Sequence, residues 1–159
     1  DVTNAHDPTW SDVSDKANNG HINCGVCFAK CAGSRGKSGS SDAPAEFVAK
    51  IRRLCNENDV VWQMGELGKV DAGGGGTVAQ FMANRNILTL DTGVPVLSMH
   101  APYEIISKAD LYEALKAYAA FMTDHVMTWM PRFAARLAEE SRTPYYKAVG
   151  EYLAAFLEL

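Results

Sequence analysis

Residues 65–104 read GELGKVDAGGGGTVAQFMANRNILTLDTGVPVLSMHAPYE, and the rest of the chain is arranged around this stretch. It holds a four-glycine loop (Gly73 to Gly76), an apolar strand (Val94 to Met99) and a histidine, His100, where that strand gives out. Without Cβ atoms, glycines let backbone approach a ligand closely and take positive φ at little cost. A histidine at the end of a buried strand is held by rigid scaffold, placed to bind a metal or move a proton. Taken alone, the plainer readings are a turn and a packing or capping imidazole, because a fold carries no function without a site.

Working outward, strands and helices alternate. Val60, Val61, Trp62 and Met64 read as a buried strand, Thr77 to Asn84 as a short helix with Val78, Phe81 and Met82 inward, and Ile87–Leu90 and Val94–Met99 as strands. Before them, Phe47, Val48, Ile51, Leu54 and Cys55 share one face of a helix capped by Ser41 or Asp42, with Pro44 in its first turn. Lys50, Arg52 and Arg53 fall on its solvated side. After them, Ser107 to Asp110 form a capping box, and Leu111, Leu115, Tyr118 and Met122 stripe the next helix as a core face. His125, near that helix's end, suits the surface. The pattern is α/β, in which functional groups gather at the carboxyl ends of strands.

The N-terminal 20 residues, rich in Asp, Asn and Pro, read as loop, and His21–Lys30 as the first strand. On that strand Cys24 faces one side and Cys27 and Cys31 the other, which suits neither a zinc knuckle nor a redox turn, even with His21 nearby. Together with Cys55 these read as buried reduced thiols of a cytoplasmic protein. Asp1, His6 and Asp7 have ligand chemistry, although short polar residues also simply make turns. AGSRGKSGSSDAPAEF (32–47) imitates a phosphate loop, but the first Walker glycine would fall at Cys31, so the pattern fails. A looser anion site or a flexible serine-glycine connector remains.

Bulk properties narrow the classes. At 159 residues, 47% hydrophobic and 21% charged, the chain is the size and composition of one globular domain. A net charge of −4 disfavours nucleic-acid binding, and no apolar run approaches the roughly 20 residues of a membrane helix. No basic-then-apolar leader is visible. The first residue is Asp1 rather than Met, so a processed chain or a piece of a longer one is expected. The last 35 or so residues, with Met127, Trp129, Phe133, Tyr145, Tyr146 and Phe156, read as a helical extension that covers the sheet or meets another copy.

Four ordered segments, DVTNAHDPTW, GSRGKSGSSDAPAEF, GELGKVDAGGGGTVA and DTGVPVLSMHAPYEIISKADLY, resemble the two-zinc exopeptidases that include aspartyl aminopeptidase and the vacuolar aminopeptidase. The resemblance spans roughly residues 1–124, leaving 125–159 as an unplaced C-terminal extension. It implies the C-terminal half of a layered α/β/α catalytic domain and an activity that removes N-terminal residues, acidic ones in some relatives, from a peptide substrate. It implies two zinc ions, replaceable by Mn or Co, that share a bridging aspartate. Asp1 matches the late aspartate ligand and His100 the last ligand, belonging to the other metal. Gly74, Gly75 and Thr77 match the substrate-lining loop, and Lys37 a basic substrate contact.

The departures matter as much. The family's first histidine, bridging aspartate and Glu-Glu pair have no counterpart here, so the general-base Glu is expected upstream and no catalytic residue is assigned in this chain. Glu66 and Glu104 are weak substitutes. The expectation is an inactive isolated chain with an open strand edge, whose partner is the missing N-terminal part of the same protein, in a homo-oligomer. Two other classes compete: a fold-retaining, non-catalytic partner or oligomerisation module, and an anion-binding domain using Lys37 and Gly73 to Gly76.

Overall fold

A computed structural model describes residues 2–34, 38–69, 77–140, 144, 147–149 and 151. The chain divides into two compact units, Asp1–Ala117 and Tyr118–Leu159. The first unit is built on a mixed sheet ordered β1-β6-β2-β5, formed by Val2–Asn4, Asp91–Leu97, Val26–Ala29 and Trp62–Met64. β1 runs parallel to β6 (Val2 beside Val94) and β2 parallel to β5, while β2 and β6 are antiparallel. A short β7 (Ile105–Ile106) returns along β6. Val26, Cys27, Phe28, Val94 and Val96 are buried along the middle strands, which explains their continuous apolar sequence.

Helix α1 (Ala45–Glu57) buries Val48, Ile51, Leu54 and Cys55, as the periodicity predicts. Its start differs from expectation. Pro44 is the N-cap and no side chain caps the helix; Asp42 instead ends β4 (Ser38–Asp42), paired with the Lys30 ammonium. That ammonium holds the Asp42 carboxyl below the usual carboxylate range, chiefly through the hydrogen bond between them. β4 pairs with β3 (Cys31–Ser34), so the serine-glycine stretch is a β-hairpin rather than a connector.

Five other expectations need correction. The first 20 residues are not all loop, because Val2–Asn4 pairs with β6 and Ala5 bridges Gly20. The first long strand starts at Val26 rather than His21: Asn23 (φ 65°) and Gly25 (φ 90°) take left-handed backbone that a strand cannot continue. β5 lies at the end of the described sheet with Met64 40% exposed; just before it Val61 is 54% exposed and Val60 is buried, so the apolar run is buried only in part. Ile87–Leu90 forms no strand, and Val78, Phe81 and Met82 around α2 (Ala79–Ala83) are exposed, with Ala79 the buried residue.

Helix α3 (Lys108–Glu140) is the most instructive departure. Leu111, Leu115, Tyr118 and Met122, expected inside, are exposed, whereas Asp110, Ala114, Ala117 and Ala120 are buried. Of the capping box, Ser107 alone behaves as one: its Oγ accepts from the Ala109 N–H at 3.2 Å. Asp110 turns away to accept the N–H groups of Asn23 and Gly25, both at 2.8 Å. One turn later the Glu113 carboxylate accepts the Val61 N–H at 2.7 Å. These two carboxylates, three residues apart on one helix face, therefore hold the chain just before β2 and just before β5.

Candidate functional site

The sequence reading puts chemistry on Asp1, His100, Lys37, Gly74, Gly75 and Thr77. Asp1, Lys37, Gly74 and Gly75 lie outside the described residues, so His100 and Thr77 are the two whose placement is visible.

His100 is set by how β6 ends. Leu97 is its last residue, and Ser98 (φ 59°) and His100 itself (φ 67°) then take left-handed backbone, closing a turn with the Ala101 N–H donating to the Ser98 carbonyl at 3.0 Å. The Glu104 carboxylate accepts the His100 backbone N–H. Positive φ in a residue with a Cβ is uncommon and is held here by these two bonds. The side chain stands exposed. Glu104, one of the two weak substitutes for a general base, is thus an anchor for the His100 turn.

Thr77 resumes the chain after the glycine loop. Its Oγ1 donates to Asp91 Oδ2 at 2.6 Å, tying the downstream flank of that loop to the first residue of β6. Asp91 escapes the sequence reading; the signal available for it was an acidic residue opening an otherwise apolar strand. Thr77 and Asp91 line a cavity with Thr3, Cys27, Ala29, Cys31 and Leu67. Burial pushes the Cys27 thiol up to about 12, with the Glu66 charge adding to it. Cys31 is also raised, first by burial, then by Glu66 and Asp42, against the Lys30 charge that lowers it.

His6 and His21 sit ring to ring at 5.4 Å, brought together by the Ala5–Gly20 bridge. Each already has a partner: His6 Nδ1 meets Ser14 Oγ at 3.2 Å and His21 Nε2 meets the Lys16 carbonyl at 3.1 Å. Cys24 is exposed in the turn before β2, Cys27 is buried and Cys31 is half-buried. Among the described residues no group of three or more His, Cys, Asp or Glu side chains converges on a point where a metal could sit. A catalytic zinc takes three protein ligands and a water. Of the two expected ligands only His100 is placed, as an exposed imidazole, and the described residues do not form a complete zinc centre.

Comparison with known proteins agrees with the sequence motifs. Residues 1–122 match the family described as aminopeptidase I zinc metalloprotease (M18). An M18 family aminopeptidase 1 of Clostridium acetobutylicum is 48% identical over 124 residues, covering 78% of this chain and 27% of the relative. The crystal structure of aminopeptidase I from the same organism superposes with a TM-score of 0.72 at 49% identity, over 76% of this chain and 26% of that one. An M18 aminopeptidase from Thermotoga maritima gives a TM-score of 0.73 at 48% identity, over 77% and 27%. The chain thus spans about a quarter of the length of these relatives. On this match the chain belongs to the aminopeptidase I zinc metalloprotease (M18) family.

Proposed function

We propose that this chain supplies the C-terminal part of the catalytic domain of a two-zinc aminopeptidase, with Asp1 and His100 as one ligand to each metal. The observation that supports the reading is the family match over residues 1–122, with 48% identity to an M18 aminopeptidase over 124 residues. When bound, zinc would polarise the scissile carbonyl and supply hydroxide near neutral pH. The chain's own part is to hold and to position. His100 offers a neutral imidazole from a turn fixed by Ser98 and Glu104. By the resemblance, Gly74, Gly75, Thr77 and Lys37 would contact the peptide. The general base comes from upstream sequence, so the isolated chain binds zinc weakly and cleaves nothing, since affinity follows ligand number and geometry. Preference for acidic N-terminal residues, self-association, a cytoplasmic location and a separate helical extension at 125–159 belong to the same proposal and rest on the resemblance.

A chimera tests it. Residues 1–122 replace the corresponding segment of the Clostridium acetobutylicum aminopeptidase, and hydrolysis of aminoacyl p-nitroanilides is measured with added zinc. Retained activity that falls at least about a hundredfold in both D1A and H100A is the expected result, since each variant removes a side chain that would bind a metal directly. A chimera that keeps full activity after H100A would overturn the assignment.

A further inference from the structure

His6 and His21 have no part in the ligand set that the resemblance implies, yet the fold pins them side by side. Backbone bonds fix both positions. The His6 N–H donates to the Gly20 carbonyl at 2.8 Å. The Gln63 side chain, from β5, holds His21 at both its N–H and its carbonyl, each at 2.8 Å. One ring therefore stands just past the end of β1, the other just ahead of the turn into β2, and the Ala5–Gly20 bridge joins the two stretches. Side chains carried by backbone tied in this way keep their geometry when a ligand arrives.

Hydrogen bonds also decide which nitrogen of each ring is left over. The Lys16 carbonyl can only accept, so His21 Nε2 carries the proton in their 3.1 Å contact and Nδ1 keeps its lone pair. Ser14 Oγ, 3.2 Å from His6 Nδ1, can accept as well as donate, so His6 can carry its proton on Nδ1 and offer Nε2. Ligating imidazoles are held in the same way, one nitrogen on the metal and the other N–H donated to a carbonyl or similar acceptor. Spacing agrees. A zinc ion lies about 2.0–2.1 Å from an imidazole nitrogen, hence about 3.2 Å from the ring centre, and two rings on one tetrahedral ion stand about 5.2 Å apart. The observed separation is 5.4 Å, at a tilt of 56°. A tilted aromatic contact has similar spacing, but it does not need one nitrogen of each ring tied to Ser14 or Lys16. Asp7, Asp12 and Asp15 lie on the connecting segment against one lysine, Lys16, so the local charge favours a cation.

We propose that His6 Nε2 and His21 Nδ1 together bind one divalent transition-metal ion, of the zinc and copper class, with water completing its coordination. Neutral imidazole suits these ions, whereas calcium and magnesium take oxygen ligands. Among the described residues no third side chain joins the pair, so the site is open and binds more weakly than a four-ligand centre. An ion held there would close the loop from Asp7 to Gly20 between β1 and β2, and would stabilise the folded chain by mass action. The proposal rests on these two rings and not on the aminopeptidase reading.

The test uses the full chain with zinc chloride alone as the probe, and reads the imidazole nitrogen shifts by NMR during the titration. His6 Nε2 and His21 Nδ1 are expected to shift together on one saturable curve, in wild type and in H100A alike, while calcium chloride moves neither. H6N should weaken zinc at His21 at least about tenfold, and H21N should do the same at His6, because a chelate loses one of its two arms. Zinc should raise Tm in wild type and H100A and leave it unchanged in H6N and H21N. Circular dichroism verifies folding, and the shared curve in wild type carries the test if neither variant folds. Separate curves for the two rings, or unchanged zinc affinity at His21 in folded H6N, would overturn the proposal and leave a plain aromatic contact. A shift at His6 Nδ1 and His21 Nε2 instead, or an equal response to calcium, would overturn it as well.

Discussion

Replacing Asp110 by alanine removes the buried side chain that fastens the start of α3 to the turn before β2, where Ser107 Oγ also donates to Asn23 Oδ1 at 2.6 Å. Asp110 is 1% exposed, and its two carboxylate oxygens separately accept the Asn23 and Gly25 N–H groups at 2.8 Å. Alanine removes both charge-assisted bonds, leaving the buried Gly25 donor and the more exposed Asn23 donor without this partner, and such bonds are worth about 1.5–3 kcal/mol each. Part of that is returned because a carboxylate no longer has to be desolvated, so the net loss is about 2–4 kcal/mol. For a chain of this length that is a fall of about 5–15 °C in Tm. D110N keeps the volume and one acceptor but turns an amide N–H toward a peptide N–H, and should lose about half as much. Urea unfolding followed by circular dichroism and tryptophan fluorescence reads the change as a lower midpoint at unchanged slope. Leu111 is the control: next in sequence and 51% exposed, its alanine variant should change stability by less than about 0.5 kcal/mol. If D110A matches wild type within about 0.5 kcal/mol, or L111A costs as much as D110A, the account of α3 docking by carboxylates is wrong.

Three further outcomes follow from the same geometry. The Glu113 carboxyl lies below its ordinary value of 4.5, first because it accepts the Val61 N–H and then because of Lys116. A depressed native value stabilises above the unfolded value and is lost on acidification, so the stability gap between wild type and E113Q should shrink as pH falls below 4.5. A gap that stays constant down to the native titration would remove the clamp from the argument. Cys24, exposed, should react with iodoacetamide well before buried Cys27, whose thiol is pushed up to about 12; peptide mass mapping of the native chain reads the order, and equal rates would contradict the packing around β2. Gly25 combines φ 90° with a Cβ position 2.1 Å from the Val61 carbonyl oxygen, so G25A should destabilise by about 3 kcal/mol or more in the same urea assay, and a neutral result would mean that β2 and β5 lie farther apart.

Legibility in the sequence followed the physics of each element. The α1 periodicity gave the right buried residues, because an amphipathic helix on a sheet has one face to hide. The same rule misplaced α3. Its large apolar residues form the visible stripe, yet the face turned inward is Asp110, Ala114 and Ala117, chosen by close approach and by backbone donors on other elements. A capping box is a local pattern, and Asp110 satisfied two distant N–H groups instead of its own helix end, 87 and 85 residues away. The hairpin of β3 and β4 was hidden for a related reason: serine and glycine carry little strand signal, and pairing supplies the rest. Of the candidate site, His100 was readable as a residue at the end of an apolar strand, whereas Asp91 became visible through its bond to Thr77.

The order of motifs by itself pointed to the family, because four segments in fixed sequence carry information that no single glycine run does. It also set the α/β class, through alternating apolar runs and helical periodicities that depend on nearest neighbours along the chain. Tertiary structure decided what nearest neighbours cannot: that β1 lies beside β6, that Gly93 must lack a side chain because a Cβ there would stand 2.6 Å from the Val2 carbonyl carbon, and that Asp91 faces a cleft with one oxygen occupied. Those are contacts between residues 14 to more than 90 positions apart, fixed by strand register, and register is set by the packing of the whole sheet.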